Sequence, residues 1–421
     1  MNKRTSLMIA FHFPPQAGSS GVFRTLNFTR HLTKSGWLPS VLTAHARAYE
    51  DVRQDTLATI PPEVEVLRGF SLDAPRHLGI AGKYPGILAL PDRWSSWWFG
   101  AVFKGLKHIY TKKPDVLWST YPIATAHLIG ATLAMLTGTP WVAEFRDPMT
   151  NPGYPADPSQ WRVRRWLEKV VMKRASHCVF VTRRMAEMYQ SRYPQIAGKC
   201  SVIPNGYDGD AFIGVEPQRF GAASDKLLFL HSGIIYPVDR DPSAFFVAIG
   251  KLLEEGAIVR EKICIRFRAP VHGEEILALA VKFGLADIVE VAPPVAYKDA
   301  IGEMLGADFL LLLQGSSFNV QIPAKVYEYL RTGNPIIALV DPAGDTANLL
   351  TEFPSAVVAD ISNSEQIAQH VGALILRLSQ VEYQTLLKAD QQSVARFSRE
   401  KQAVALAELL DALLAVKPEM H

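Results

Sequence analysis

The stretch Gln321-Ile-Pro-Ala-Lys-Val-Tyr-Glu-Tyr-Leu-Arg-Thr-Gly-Asn-Pro-Ile-Ile-Ala-Leu-Val340 reads as a short helix followed by a buried strand. Pro323 suits the first turn of a helix, where its missing N–H costs nothing. Gly333 suits the left-handed position after the last turn, and Pro335 forbids continuation. Lys325 and Glu328 stand three apart, so both project from one face near the helix start. The apolar run Ile336 to Val340 has the pattern of a parallel strand covered on both faces. A helix start that offers free N–H groups and a lysine favours an anion. A glutamate one turn further on can accept two hydrogen bonds from a vicinal diol. Phosphate and ribose together indicate a nucleotide. The bland alternative is a surface ion pair ahead of an ordinary helix–strand unit.

The same alternation extends in both directions. Strands are expected at Leu7–Phe13, Leu38–Thr43, Val64–Arg68, Asp115–Ser119, Trp141–Glu144 and His177–Val181, with helices at Arg24–Ser35, Ala124–Leu136, Trp161–Arg174 and Arg183–Arg192. Val202-Ile-Pro-Asn-Gly-Tyr-Asp208 is turn chemistry without periodicity. Alternation then restarts, with strands at Leu227–His231, Ile263–Arg268, Ile288–Val291 and Phe309–Gln314. Helices are expected at Pro242–Glu255, Glu274–Phe283 and Ala300–Met304. This spacing predicts βαβ units and two doubly wound parallel sheets. The tail Ser393–Val416 reads as a helix, with Ala403, Leu406, Leu409, Leu410 and Leu413 on one face.

A chain of 421 residues exceeds what one core usually serves, so two domains are expected. Its 48% hydrophobic and 20% charged residues are those of a globular protein. A net charge of +3 is too small to imply nucleic acid. The three cysteines, Cys178, Cys200 and Cys264, are far apart in sequence and indicate neither a disulfide framework nor a zinc site. The apolar start is interrupted by His12 and closed by Pro14-Pro15, so a first strand is expected there rather than a signal peptide. No run approaches the roughly 18 apolar residues of a membrane span. The expected location is the cytoplasm, extending to a peripheral place on the inner membrane face.

The 323–336 segment resembles the nucleotide-sugar-binding segment of family 4 glycosyltransferases, in the branch that reads roughly P-x-K-x-x-E-Y-L-x-x-G-x-P-I. That branch resembles exopolysaccharide and lipid-linked oligosaccharide enzymes. The resemblance implies the GT-B architecture: two Rossmann-like doubly wound parallel-sheet domains facing a cleft, with a C-terminal helix crossing back to the first domain. It implies an acceptor-binding domain over 1–205, a nucleotide-sugar-binding domain over 206–395 and a returning helix over 396–421. By the same resemblance Glu328 holds the donor ribose and Lys325 faces its phosphates.

Pro14-Pro-Gln-Ala-Gly-Ser-Ser-Gly-Val-Phe-Arg24 follows the first strand and opens the first helix. Its glycines allow close backbone approach and its serines add donors. It resembles the family's P-P-x-x-G-x-x-G-x-x-R, which places Gly18 and Ser19 on the donor and Arg24 near the acceptor. Glu144-Phe-Arg-Asp-Pro148 sets three charges at the carboxyl end of a strand, where open α/β sheets bind ligands. Asp147 is the first choice for the residue acting on an acceptor hydroxyl, with Glu144 beside it and Arg146 on an anionic acceptor. His127 occupies a region where family members often set a histidine against the donor sugar. A strand-end salt bridge and a packed histidine are the plain alternatives.

Leu230-His-Ser-Gly-Ile234 resembles the family's opening of the second domain, with Gly233 and Arg240 beside the diphosphate. Many relatives carry an arginine directly after that glycine; here Ile234 stands there. The family's paired glutamates lie eight positions apart, and the first falls on Val320. Backbone N–H groups from Phe318 to Gln321 are expected to substitute. By the same resemblance no metal and no cofactor are expected. The partners are a UDP- or GDP-linked sugar and a sugar or lipid-linked acceptor.

All eight tryptophans lie at or before Trp166. Trp94, Trp97, Trp98 and Phe99, followed by Lys104 and Lys107, and the basic run Arg162, Arg164, Arg165, Lys169, Lys173 and Arg174, suggest contact with an anionic membrane. Core tryptophans beside a solvated basic face are the alternative. The activity implied is a retaining, metal-independent hexosyl transfer from a nucleotide-sugar. A nucleotide-sugar epimerase of the same fold, or a non-catalytic partner in polysaccharide assembly, are the other readings.

Overall fold

The computed structural model describes residues 3–17, 21–80, 83–221, 225–236, 239–378 and 390–415. The chain divides into two compact units, one of Met1–Pro204 with Arg399–His421, the other of Asn205–Ser398. Gly18 and Ser19 lie outside the described residues.

The first unit contains strands β1 (Arg4–Ile9), β2 (Trp37–Ala44), β3 (Val66–Gly69), β4 (Val116–Thr120), β5 (Trp141–Phe145), β6 (His177–Phe180) and β7 (Cys200–Val202). Its helices are α1 (Gly21–Leu32), α2 (Ala74–Leu78), α3 (Trp97–Lys112), α4 (Ala124–Thr137), α5 (Pro158–Arg174) and α6 (Arg183–Arg192). All ladders are parallel, in the order β3-β2-β1-β4-β5-β6-β7. The order reverses between β1 and β4, as doubly wound sheets require.

The second unit contains β8 (Leu227–Ser232), β9 (Ile263–Arg268), β10 (Val289–Ala292), β11 (Phe309–Gln314), β12 (Ile336–Val340) and β13 (Ala356–Ala359). Its helices are α7 (Ser243–Glu254), α8 (Gly273–Lys282), α9 (Tyr297–Gly306), α10 (Ala324–Thr332), α11 (Asp345–Leu350), α12 (Ser364–Leu378) and α13 (Gln391–Val394). The sheet order is β10-β9-β8-β11-β12-β13, again parallel throughout, with the reversal between β8 and β11. The expectation of two parallel α/β sheets is met.

A last helix, α14 (Arg399–Ala415), belongs to the first unit. Its Ala403, Leu406, Ala407 and Leu410 join Met8, Phe28, Trp37 and Trp118 in one core. Trp37 Nε1 donates to Asp411 at 2.9 Å. The tail is not one continuous helix. The Ser393–Val416 reading breaks at a 3-10 turn over Ala395–Phe397 before α14 begins.

The helix α3 escaped the reading of the sequence. Its inward face is built from Trp97, Ala101, Gly105, His108 and Ile109, while Phe99 and Phe103 point to solvent. The apolar stripe thus runs on the wrong side for a periodicity argument. Small residues face inward because the helix crosses close to β3. A Cβ on Gly100 would sit 2.3 Å from the Phe70 backbone nitrogen.

Arg24 and Glu144 are both buried and bind each other. Arg24 Nη2 and Nε donate to Glu144 Oε1 at 2.8 and 3.0 Å. Its remaining N–H groups reach the carbonyls of Ile203 and Pro204 at 2.9 and 2.8 Å and Gln402 of α14 at 3.5 Å. Glu144 Oε2 accepts from Thr120 Oγ1 at 2.8 Å. One guanidinium therefore joins α1, β5, the segment after β7 and α14. The acceptor-binding role expected of Arg24 and the catalytic role expected of Glu144 meet side chains already committed to this network. Breaking one partner of a buried pair leaves an uncompensated charge. Glu144→Gln is therefore expected to destabilise the first unit by about 3–5 kcal/mol. Denaturant unfolding followed by tryptophan fluorescence checks it, since all eight tryptophans report on this unit alone.

Candidate functional site

In the second unit the reversal of strand order sets the ends of β8 and β11 side by side. Gly233 follows β8 directly, with φ at +108°, a conformation that side chains rarely adopt. A Cβ there would come within 3.2 Å of Lys325 Nζ. Glycine thus leaves room for the ammonium that the first turn of α10 projects. No side chain caps the start of α10, where Pro323 is the residue before the helix rather than within its first turn. Gly333 ends the helix in the left-handed conformation expected of it.

Lys325 Nζ lies 3.0 Å from His231 Nε2, and His231 Nδ1 lies 2.9 Å from the Leu311 carbonyl. A carbonyl can only accept, so Nδ1 carries the proton and Nε2 presents a lone pair to the ammonium. Burial, with the Lys325 charge second, holds the His231 pKa well below its ordinary value. Lys325 is pushed down to about 7, first by burial and then by Arg240, with Glu328 opposing. Arg240 stacks over Tyr236 at 4.8 Å and donates to the Ile234 carbonyl at 2.5 Å. Burial lowers its pKa as well. Glu328 Oε1 accepts from Tyr297 Oη at 2.7 Å.

Gly233, Arg240, Lys325 and Glu328 are therefore neighbours on the strand ends of one sheet. Gln321 belongs to the same region through its backbone. Its carbonyl accepts from Gln314 Nε2 at 3.0 Å and from Thr346 Oγ1 at 3.2 Å. The backbone N–H groups of Phe318, Asn319 and Gln321 donate to Gly315, Ser316 and Phe318 carbonyls. Those three donors are used within the turn, so they do not replace the missing glutamate as expected. His231 was not singled out from the sequence. It stands two residues before Gly233, but nothing in the spacing distinguishes it from any other strand residue. Tyr297 carried no signal at all.

The first unit disperses its candidates. His127 is buried among Phe145, Tyr121 and Trp141, with ring centroids at 4.7, 6.2 and 6.2 Å. Its Nδ1 pairs with Ser119 Oγ at 2.8 Å, and Ser119 Oγ also accepts from Trp141 Nε1 at 2.8 Å. Burial pushes its pKa down to about 3. This is a neutral core histidine. Arg146 and Asp147 are partly accessible. Arg146 Nε donates to the Tyr121 carbonyl at 2.8 Å, and its guanidinium lies against Gly21 at the start of α1 and against His12. Asp147 has no hydrogen bond to any described residue. Burial raises its pKa, with Arg146 opposing. Trp97 is fully buried, Trp94 packs 4.5 Å from Phe11, and Trp98 donates to Thr132 at 3.0 Å. The tryptophan cluster expected to meet lipid is largely core.

Residues 21–206 match the family model described as "Glycosyl transferase 4-like domain". The D-inositol 3-phosphate glycosyltransferase of Streptomyces avermitilis is 25% identical over 305 residues, which is 67% of this chain and 62% of that protein. The chain thus matches less than two thirds of that curated relative's length. Sucrose-phosphate synthase from Thermosynechococcus elongatus superposes over 98% of this chain and 100% of its own, with TM-score 0.69 and 15% identity. The HepE protein of Anabaena, solved in complex with UDP and glucose, superposes over 97% and 100%, with TM-score 0.65 and 14% identity. These likenesses show the fold, the two Rossmann-like domains of the GT-B class.

His127 sets a pH dependence. Its folded pKa of about 3 lies below the ordinary 6.5, so the unfolded chain takes the proton first. The stability that neutral packing supplies is complete above pH 6.5 and is lost as pH falls toward 3. His127→Phe, which keeps the aromatic packing, is expected to flatten the fall in first-unit melting temperature over that window, read by tryptophan fluorescence.

Proposed function

We propose that the protein is a glycosyltransferase that moves a sugar from a UDP- or GDP-linked donor to an acceptor hydroxyl with retention of anomeric configuration. The observation that carries this reading is the Lys325–Gly233 approach beside Arg240, with Glu328 one turn along α10. Lys325 faces Gly233 at the strand end, Arg240 is held to the next residue, Ile234, and a carboxylate that could accept from a diol stands one turn along α10. Lys325 and Arg240 would hold the diphosphate and stabilise the charge that grows on it as the glycosidic bond breaks. Such neutralisation calls on no metal ion. Glu328 would exchange its Tyr297 partner for the ribose hydroxyls. Asp147, a carboxylate of raised pKa without a hydrogen bond to a described residue, is suited to orient the acceptor hydroxyl, with Arg146 beside it for an anionic acceptor. The glycosyl transferase 4-like match over residues 21–206 supports the reading.

Donor binding tests it. Glu328→Gln removes a charged acceptor and is expected to weaken donor binding by roughly 1.5–3 kcal/mol. Calorimetry with UDP- and GDP-sugars measures this, and unchanged affinity sinks the ribose assignment. Slow release of nucleoside diphosphate without acceptor marks a transferase, whereas interconversion of the sugar marks an epimerase.

A lipid-linked acceptor and a peripheral place on the inner membrane face belong to the same proposal. No helix among the described residues is long and apolar enough to cross a membrane. On α3, Phe99, Phe103 and Tyr110 are 70%, 72% and 67% exposed and fall on one stripe, with Lys104 and Lys107 alongside. On α5, Arg162, Trp166, Lys169 and Lys173 recur at i, i+4, i+7 and i+11, and Trp166 is 55% exposed. The helix α4 packs against both, so aromatics and cations share one layer. Interfacial aromatics supply buried area, and each basic residue contributes about 1 kcal/mol near an anionic surface. Vesicles containing anionic lipid are expected to sediment the protein at low salt. Phe99→Ser with Phe103→Ser should abolish that, and a parent protein that stays in solution removes membrane docking from the proposal.

A further inference from the structure

The donor site holds one buried group that the proposed chemistry does not yet use. His231, one residue before the end of β8, is fully enclosed, with both ring nitrogens engaged: Nδ1 to the Leu311 carbonyl of β11 at 2.9 Å and Nε2 to Lys325 Nζ at 3.0 Å. The carbonyl bond fixes which nitrogen carries the proton. It thereby fixes the lone pair that the ammonium of α10 meets. Two strands and one helix are joined through a single imidazole.

We propose that His231 is a positioning residue, a neutral acceptor that aims the Lys325 ammonium at the donor's diphosphate without cancelling its charge. The inference rests on the donor-site reading given above. A carboxylate in the same place would orient the lysine equally well, but it would form an ion pair and leave Arg240 as the remaining uncompensated cation. An imidazole lone pair takes one N–H of the ammonium and leaves two for phosphate oxygens. Among the described residues, the charged and titratable groups that face Lys325 are His231 on β8, Arg240 in the segment that follows and Glu328 on α10, and Arg240 in turn faces Tyr236, Asp239 and Tyr329. Arg240 disfavours the ammonium, as burial does, and Glu328 favours it. The hydrogen bond that Nε2 accepts at 3.0 Å holds the ammonium in place against burial and Arg240.

The test is donor affinity against pH, measured by calorimetry with whichever of UDP-glucose and GDP-mannose the parent binds. The diphosphate of either carries no titrating proton between about pH 5 and 9, so the lysine's own titration is visible. Parent affinity is expected to fall as pH rises through about 7. His231→Phe removes the acceptor, so the fall should begin at lower pH, with affinity at neutral pH reduced about tenfold. His231→Gln carries an amide oxygen to the position of Nε2 and should restore both. If His231→Phe does not fold, His231→Glu decides the matter. The carboxylate should weaken binding while moving the fall to higher pH. A Phe or Glu variant with the parent's affinity and pH profile, while Lys325→Ala binds weakly, overturns the positioning role and leaves the donor site standing. Lys325→Ala that binds as tightly as the parent, or a parent that binds neither nucleotide-sugar, refutes the donor-site reading itself.

Discussion

The constraint on which each unit depends is the reversal of strand order in a parallel sheet. Crossovers between parallel strands are right-handed almost without exception. A sheet that grows from its middle in both directions must therefore send successive helices to opposite faces. Beside the strand where growth turns round, two chain segments leave the sheet in opposite directions and cannot fill the space between them. In the second unit those strands are β8 and β11. Gly233 leaves one, the turn that carries Gln321 leaves the other, and α10 brings Lys325 to the opening. The residues proposed to hold a nucleotide are thus gathered by topology before any side-chain chemistry acts.

The two units treat buried charge in opposite ways. In the first, Arg24 and Glu144 satisfy each other and the carbonyls around them, and Glu168 is likewise ringed by Arg165, Arg192 and Thr150. Such pairs gain little net stability, because desolvation offsets attraction, but losing one partner is costly. They fix the packing of helices on the sheet. In the second unit Arg266, Arg268 and Glu303 do the same under β9. Lys325 and Arg240 do not. Burial works against the charge of both, Arg240 adds to this at Lys325, and the nearest carboxylate on α10 is turned to Tyr297. Burial and a like charge both work against the ammonium of Lys325. A fold that tolerates the arrangement is one in which an anion can repay it.

What the sequence made legible follows from which physical signals are local. The helix α10 was readable because its punctuation is local: Pro323 before it, Gly333 after it in the left-handed region, Pro335 beyond. The strands were readable because parallel strands buried on both faces are apolar runs. The helix α3 was not, since Ala101, Gly105 and His108 dilute its inward face while Phe99 and Phe103 stand on its outward one. Arg24 and Glu144 were misjudged for a different reason. A charge at a strand's end looks the same in sequence whether it faces ligand or a partner 120 residues away. The basic run on α5 shows both outcomes, with Arg165 tied to Glu168 and Tyr193 and Arg162, Lys169 and Lys173 left in solvent.

His231 was invisible for a related reason, and it shows how much a second layer of residues can carry. Lysine is a flexible point charge with no geometry of its own. Its ammonium will follow whatever acceptor stands nearest, and in a site built for an anion that acceptor must not be anionic. Neutral acceptors within a buried sheet are carbonyls, hydroxyls, amides and one tautomer of histidine. Carbonyls between parallel strands are spent on the ladder, and histidine alone among the side chains can be locked to one tautomer by a carbonyl on the next strand. The Leu311 carbonyl does this from β11, the strand on the far side of the reversal. The same discontinuity that opens the site therefore also supplies the bond that orients its cation.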